Sequence, residues 1–337
     1  MELIAGEEKK FSEFIANLTE KDKIAILTHN DIDGMISAAI ASKILGKIDY
    51  LDFLDYRQTK IRNCLQELKN NKINKLVILD YSCEQEQETI KEIEKFAEIL
   101  ILDHHHWNED INSKKTIFLR TETKIPASYL AYYLFSKIQA IPNWLPALGI
   151  LSDRADKYQR DNAKEVWHDF KLQGKEDLFN IMSVLNSAII YFKSKSEKVF
   201  SILNEAKNPE DILALKKYSD DVEQEIQEKL NEFESEKQDS DLFFYLYSSR
   251  FGINSELSTR ISLKHRDKTV ILARNSNGII SLSARRQDGK VNCVELLKNL
   301  TEGIENSFTG GHFPAAGGNF PSKYLGKFKE NLAKFSN

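Results

Sequence analysis

Cysteine is scarce in this chain of 337 residues, and the three present cannot make a framework. Cys64, Cys83 and Cys293 are far apart and odd in number. They form neither a CxxC zinc pair nor a disulfide set, which suits a reducing compartment. No apolar run approaches the roughly 18 residues that a membrane helix needs. The opening MELIAGEEKK has no basic stretch followed by an apolar one, so no secretory signal is expected and a cytoplasmic location is. An excess of one charge sign is also missing. The 47 Lys and Arg against 51 Asp and Glu leave a formal charge of −4. That excludes a uniformly basic polyanion trap, so any nucleic-acid contact must come from a local groove. What is present, 41% hydrophobic and 29% charged residues, fits a globular protein and argues against disorder. The length exceeds one ordinary core, so more than one domain is expected.

The first half alternates short apolar runs with amphipathic ones. Ile24–Thr28, Tyr50–Leu54, Leu76–Leu79 and Ile99–Leu102 read as buried strands. Met35–Leu45 and Glu86–Phe96 read as the helices between them. Strand–helix–strand repetition predicts an α/β fold with a parallel sheet and an active crevice at the carboxyl ends of its strands. Val222, Ile226, Leu230 and Phe233 then mark one stripe of an acidic helix, expected to be a solvated connector fraying near Glu236–Ser240. Beyond it, Leu242–Tyr247, Thr269–Ala273 and Ile279–Ser283 read as strands, with Asn277-Gly278 as a hairpin turn. Val291–Leu300 reads as a helix, followed by a Gly-rich loop over Thr309–Asn319. The expected organisation is an α/β catalytic domain over 1–200, a helical linker over 201–240, and a smaller α/β domain with a mixed sheet over 241–337.

Polar residues gather where the strands end. His29, Asp31 and Asp33 follow the first, Asp80 the third, and Asp103-His104-His105-His106 the fourth. Asp153 follows a later apolar run. Each has an ordinary structural explanation alone: Asp31, Asp33 or Asp80 as a helix cap, His105 as a core histidine. Their joint placement favours chemistry. Several carboxylates in one crevice repel unless cations sit between them. Mixed Asp and His donors suit a pair of Mn²⁺ ions better than an all-oxygen Ca²⁺ cage.

Asp31-Ile-Asp33, Asp80, Asp103-His104-His105 and Asp153 stand in the order and context of the DHH phosphoesterase superfamily, which the chain resembles over about residues 20–325. Gly310-Gly311-His312 with Ala315-Ala316-Gly317-Gly318 looks like that superfamily's DHH-associated substrate domain. The resemblance is closest to archaeal RecJ-like and nanoRNase-like exonucleases. It implies that Asp31 with His29 holds one Mn²⁺, that Asp33, His104 and Asp153 hold the other, and that Asp80 bridges them, with Mg²⁺ as a substitute. Asp103 would orient a histidine, and His105 would face the phosphate. Water shared by metals about 3.5–4 Å apart would attack phosphorus as hydroxide, with no need for a covalent role of Ser82 or Cys83. Ser283, Arg285, Gly310, Gly311 and His312 are implied substrate contacts. Thr309 stands where many relatives have a first glycine.

The activity implied is a metal-dependent phosphodiesterase releasing nucleotides from single-stranded DNA or RNA, with 3′-to-5′ polarity favoured. Alternatives are a nanoRNase or cyclic-dinucleotide phosphodiesterase acting on short oligonucleotides, and a non-catalytic factor of the Cdc45 type. RecJ-like relatives imply a helicase or replication-factor partner and no membrane. Arg154, Lys157, Arg160, Arg250, Arg260, Lys264, His265 and Arg266 are either backbone-tracking charges or ordinary surface charge. Tyr245, Tyr247, Phe251 and Phe313 are either stacking aromatics or core, and Arg286 is expected in solvent.

Overall fold

The computed structural model describes the chain apart from residues 57–58, 108, 154–174, 194, 237–239 and 336–337. It divides into two compact units, Met1–Ser219 and Asp220–Asn337.

The first unit runs α1 (Glu8–Ala16), β1 (Ile24–His29), α2 (Ile32–Leu45), β2 (Tyr50–Leu54), α3 (Ile61–Asn70), β3 (Lys75–Leu79), α4 (Gln87–Ile93), β4 (Glu98–Asp103), β5 (Thr116–Arg120), α5 (Ala127–Phe135), α6 (Trp144–Ser152), α7 (Lys175–Phe192) and α8 (Glu197–Glu205). The strands form one parallel sheet in the order β2-β1-β3-β4-β5. Both faces are covered, which is why its strands read as unbroken apolar runs rather than alternating ones. Ile24, Ile26, Val77, Leu79, Leu100 and Leu102 join the core that α1, α2 and α5 to α8 complete. Ala25, Leu27, Leu76, Ile78, Ile99 and Ile101 face the other way, toward α3 and α4. β5 carries little sequence signal of its own, because TIFLR is a five-residue edge segment set among polar residues.

In the second unit, α9 (Lys216–Ser235), which begins just before the division, is followed by β6 (Leu242–Ser248), α10 (Asn254–Lys264), β7 (Thr269–Ser276), β8 (Ile279–Arg285), α11 (Cys293–Leu300), β9 (Phe308–His312), β10 (Ala315–Pro321) and α12 (Leu325–Phe335). Its sheet is mixed, in the order β6-β7-β8-β10-β9, with β6 and β7 parallel and the rest antiparallel. Asn277 and Gly278 both have positive φ, 50° and 76°, the turn a tight hairpin requires. One face of the sheet packs on α11 and α12 through Ile271, Ile280, Ala316, Phe320, Leu297 and Phe328.

Three expectations need correction. The stripe Val222, Ile226, Leu230 and Phe233 is buried rather than solvated, and Phe233 lies 5.8 Å from Phe243 and 5.7 Å from Tyr245. Apolar area at helical spacing found a sheet to cover. The Gly-rich loop is the hairpin of β9 and β10. Gly311 sits there at φ 135°, and a Cβ on it would fall 2.6 Å from the Ala315 carbonyl oxygen. Arg286 is buried, with Nε and Nη2 donating to Asp288 at 2.7 and 2.8 Å. The strand ends at Arg285, so strict alternation no longer applies one residue later. Among the described residues no helix is long and apolar enough to cross a membrane.

Candidate metal centre

β1, β3 and β4 are neighbours, and the sheet delivers their carboxyl ends to one place. His29 is the last residue of β1. Asp31 is the N-cap of α2, its Oδ1 accepting from Gly34 N–H at 2.9 Å. The structural role and the cluster thus coexist: its other oxygen lies 2.7 Å from His29 Nδ1. Asp80 follows β3 with φ 55°. That left-handed conformation is rare outside glycine and costs about 1–3 kcal/mol. It is held by the Asp80 N–H donating to the Leu102 carbonyl at 2.9 Å. Here the strained backbone turns the chain directly after the strand.

Asp33 is buried in the first turn of α2. Its Oδ2 accepts from Ala127 N–H at 2.7 Å, and its Oδ1 accepts from the Ser128 N–H at 3.2 Å and from the Ser128 hydroxyl. These are N–H groups at the start of α5 that its own helix cannot satisfy. Asp153 is the C-cap of α6, so its carboxylate arrives from a helix end rather than a strand end. α6 approaches closely because residue 149 is glycine. A Cβ there would overlap the Ser128 hydroxyl and lie 2.9 Å from Asp33 Oδ1.

The histidines complete the cluster. His104 Nδ1 lies 3.2 Å from the Thr123 carbonyl. A carbonyl only accepts, so Nδ1 carries a proton and Nε2 faces the carboxylates, 3.3 Å from Asp80 and 3.5 Å from Asp153. His105 Nδ1 lies 2.7 Å from Asp103 Oδ1, and Trp107 Nε1–H donates to Asp103 Oδ2 at 2.8 Å. Tyr56 covers this edge. Its hydroxyl accepts from Ser82 N–H at 2.8 Å, and its ring stacks on Tyr81 at 4.5 Å. Its centroid is 5.3 Å from that of His29 and 6.1 Å from that of His105.

Charges in this pocket are poorly matched. Burial and the charges of Asp80 and Asp153 push Asp33 well above the usual carboxylate range. Burial, reinforced by Asp80 and Asp31 against the pull of His104, lifts Asp153 to about 7. Burial opposes the cationic rings of His29 and His104, yet nearby carboxylates outweigh it and raise both well above an ordinary histidine. Burial likewise opposes ionised Asp80, but His104 and His29 hold it far below the usual range. A cation among these groups would relieve the surplus of carboxylate. His29 Nδ1 and Asp80 Oδ1 are buried without a well-directed hydrogen-bond partner. Three overlapping sets have ligand atoms within 4.8 Å of one another: His29, Asp31 and Asp80; Asp80, His104 and His105; Asp33, His104 and Asp153. Orphaned buried donors and acceptors, surplus carboxylate and mixed O and N ligands fit divalent metal.

His106 is exposed, and none of the three sets includes it. Cys83 is buried, and burial pushes its thiol well up, so it packs rather than reacts. In the second unit, the Ser283 hydroxyl is buried against Ser258 at 2.9 Å. Arg285 Nη2 donates to Ser255 at 3.0 Å. Gly310, Gly311 and His312 lie on edge strand β9. Arg250, Arg260 and Lys264 pair with Glu225, Glu223 and Glu234 of α9. The His265 ring packs 5.2 Å from Phe243. Tyr245 and Tyr247 stack on each other in the core and Phe251 is buried, whereas Phe313 is 50% exposed. Arg154, Lys157 and Arg160 lie outside the described residues. Sequence reasoning missed Tyr56, Trp107, Thr123, Ser128 and Gly149. Only Trp107, four residues after Asp103, offered a local signal.

Comparison with solved structures shows the same fold at low identity. Exonuclease RecJ bound to manganese aligns over 100% of this chain and 95% of its own, at 15% identity and TM-score 0.73. RecJ from Thermus thermophilus in complex with Mn²⁺ aligns over 98% of this chain at 16% identity and TM-score 0.70; this chain covers 54% of that longer one. CDC45 from Entamoeba histolytica aligns over 97% of this chain and 98% of its own, at 11% identity and TM-score 0.60. No curated protein sequence matches significantly. Fold and clustered side chains thus define a protein of RecJ-like architecture with a candidate metal centre.

Residues 23–150 match the DHH family N-terminal domain, and residues 245–337 match the DHHA1 domain. The chain belongs to the DHH phosphoesterase superfamily.

Proposed function

We propose that this protein is a Mn²⁺-dependent phosphodiesterase that releases nucleotides from an end of single-stranded DNA or RNA, with 3′-to-5′ polarity favoured. The observation that carries this reading is the set of overlapping ligand groups around Asp80, where buried His29 Nδ1 and Asp80 Oδ1 have no well-directed hydrogen-bond partner. His29 and Asp31 would hold one ion, Asp33, His104 and Asp153 a second, and Asp80 would serve both. Bound divalent ions supply charge stabilisation to a phosphate and acidify an attacking water. The protein's own groups do the rest. Asp103 fixes Nδ1 of His105, leaving Nε2 to meet a phosphate oxygen or protonate the leaving group. Thr123 holds His104 in the tautomer a metal ligand needs. Asp33, anchored by Ala127 and Ser128, cannot swing away from its position.

Substrate contact belongs to Arg285, Gly310, Gly311 and His312 in the second unit, whereas Ser283 is buried and supports them indirectly. Arg285 offers a planar fork suited to phosphate. Ser283 acts by fixing Ser258 of α10, the helix that carries the Arg285 partner Ser255. RecJ supports the exonuclease reading by fold, while the complete ligand set argues against a non-catalytic scaffold of the CDC45 kind. A time course on 5′-labelled and 3′-labelled strands of both sugars, with Mn²⁺ and then Mg²⁺, tests it. Stepwise shortening of long single strands is expected. Turnover confined to two- to four-residue oligomers or cyclic dinucleotides would replace it with the nanoRNase-like reading.

A further inference from the structure

The sheet of the second unit has one face packed on α11 and α12, and α10 lies on part of the other, where its Ser258 meets Ser283 of β8. Residues directly opposite in an antiparallel pair share a face. Ala315 of β10 stands opposite both Arg285 of β8 and His312 of β9, and Gly317 stands opposite Gly310. Alternation along β9 adds Phe308 to the same face as Gly310 and His312. Arg285, His312, Gly310 and Phe308 therefore share one face around Ala315 and Gly317, with the Arg285 guanidinium held at its β8 side by Ser255 of α10.

Phe308 is 53% exposed. Its ring does not stand away from the strand: a Cβ on Gly310 would lie 3.5 Å from the ring Cζ and 3.7 Å from Cε1. The ring leans along β9 over Gly310, toward His312. Two residues of strand, about 7 Å, separate Gly310 from His312. That is about the span between a nucleobase and its phosphate. Exposure of one apolar side chain is ordinary by itself. Here an open aromatic ring shares a face with an imidazole four residues along β9 and with a guanidinium on β8 opposite the same Ala315 as that imidazole, two groups that can donate to a phosphate.

We propose that Phe308 is the stacking platform for the base of a nucleotide whose phosphate is taken by Arg285 and His312. The inference rests on the reading of this unit as the substrate-holding one and adds what that reading lacks, a contact to the base. Stacking uses a face that every base has, so it confers grip without sequence preference.

The test uses the full chain, the variants Phe308→Leu and Phe308→Trp, and a single strand made intact or abasic at its terminal nucleotides. Both ends are tried. Binding is read by fluorescence anisotropy in EDTA, and turnover is read with Mn²⁺. Phe308→Leu keeps the apolar bulk at the edge and removes the π face. It is expected to weaken binding of the intact strand about tenfold, the effect of one lost base stack, with kcat unchanged. Phe308→Trp should retain wild-type binding, and the abasic strand should not distinguish wild type from Phe308→Leu. Equal weakening on both strands, or none on the intact one, overturns the stacking role. Binding that follows the expected pattern without any turnover leaves stacking in place and refutes the nuclease reading. No binding of either strand by wild type refutes both.

Discussion

Replacing Gly149 by alanine tests how the two helices that carry Asp33's anchor and Asp153 are held together. The new methyl would overlap the Ser128 hydroxyl and lie 2.8 Å from the Ser128 Cβ and 2.9 Å from Asp33 Oδ1. Relaxed carbon contacts sit near 3.5–4.0 Å, so α6 must retreat by about 1 Å or Ser128 must turn away. Retreat is overpacking, at about 1–3 kcal/mol. Turning Ser128 removes a donor from a buried carboxylate, at about 1–3 kcal/mol. A loss of about 3 kcal/mol corresponds to about 10 °C in melting temperature for a unit of this size. Either route displaces Asp33 or Asp153 by about 1 Å, enough to cost about 100-fold in turnover. Thermal melts, calorimetric Mn²⁺ titration and single-strand hydrolysis measure the three consequences. In a Ser128→Ala background the same substitution should cost less, because the hydroxyl it strikes is gone. Wild-type melting and Mn²⁺ affinity in Gly149→Ala would show that the close approach of α6 does not position the ligands.

Other outcomes follow from the same geometry. Asp80→Asn keeps a residue tolerant of positive φ but removes the shared charge; melting should hold within a few degrees while Mn²⁺ binding and turnover fall about 100-fold or more. Wild-type turnover in that variant would refute the assignment of Asp80. Trp107→Phe removes the indole N–H from buried Asp103, worth about 1–3 kcal/mol, and should lower kcat with little change in KM, as steady-state kinetics will show. In the metal-free protein, Asp33 and Asp153 have raised pKa values, so the stability their neutral forms provide is present at low pH and lost as pH rises, for Asp153 through about 7. The raised histidines His29 and His104 act in the same direction. Bound cations would replace those protons, so the drop in melting temperature caused by EDTA should grow from pH 5.5 to pH 8. An EDTA effect that stays constant over that range would count against the carboxylates as ligands.

Much of the fold was written in short-range pattern. Unbroken Ile, Leu and Val runs mark β1, β3 and β4 because a strand buried on both faces has no polar side to show. Asn277-Gly278 marks its hairpin because both residues tolerate positive φ. The clustering of acidic and imidazole groups was legible for a similar reason: such groups directly after buried strands have few structural uses in combination. The glycines of β9 and β10 misled, since glycine usually signals a turn and here admits close strand contact.

What the chain alone determined, then, was which residues carry charge at the strand ends and that a parallel sheet would gather them. Folding decided the rest, because the decisive partners are distant in sequence. Asp33 meets Ala127 and Ser128, His104 meets Thr123, and Gly149 lets α6 bring Asp153 alongside them. Those contacts depend on helix packing distances of a few ångströms, which no local spacing encodes. The same holds for Phe308, whose place on one face with Arg285 and His312 exists only through strand register.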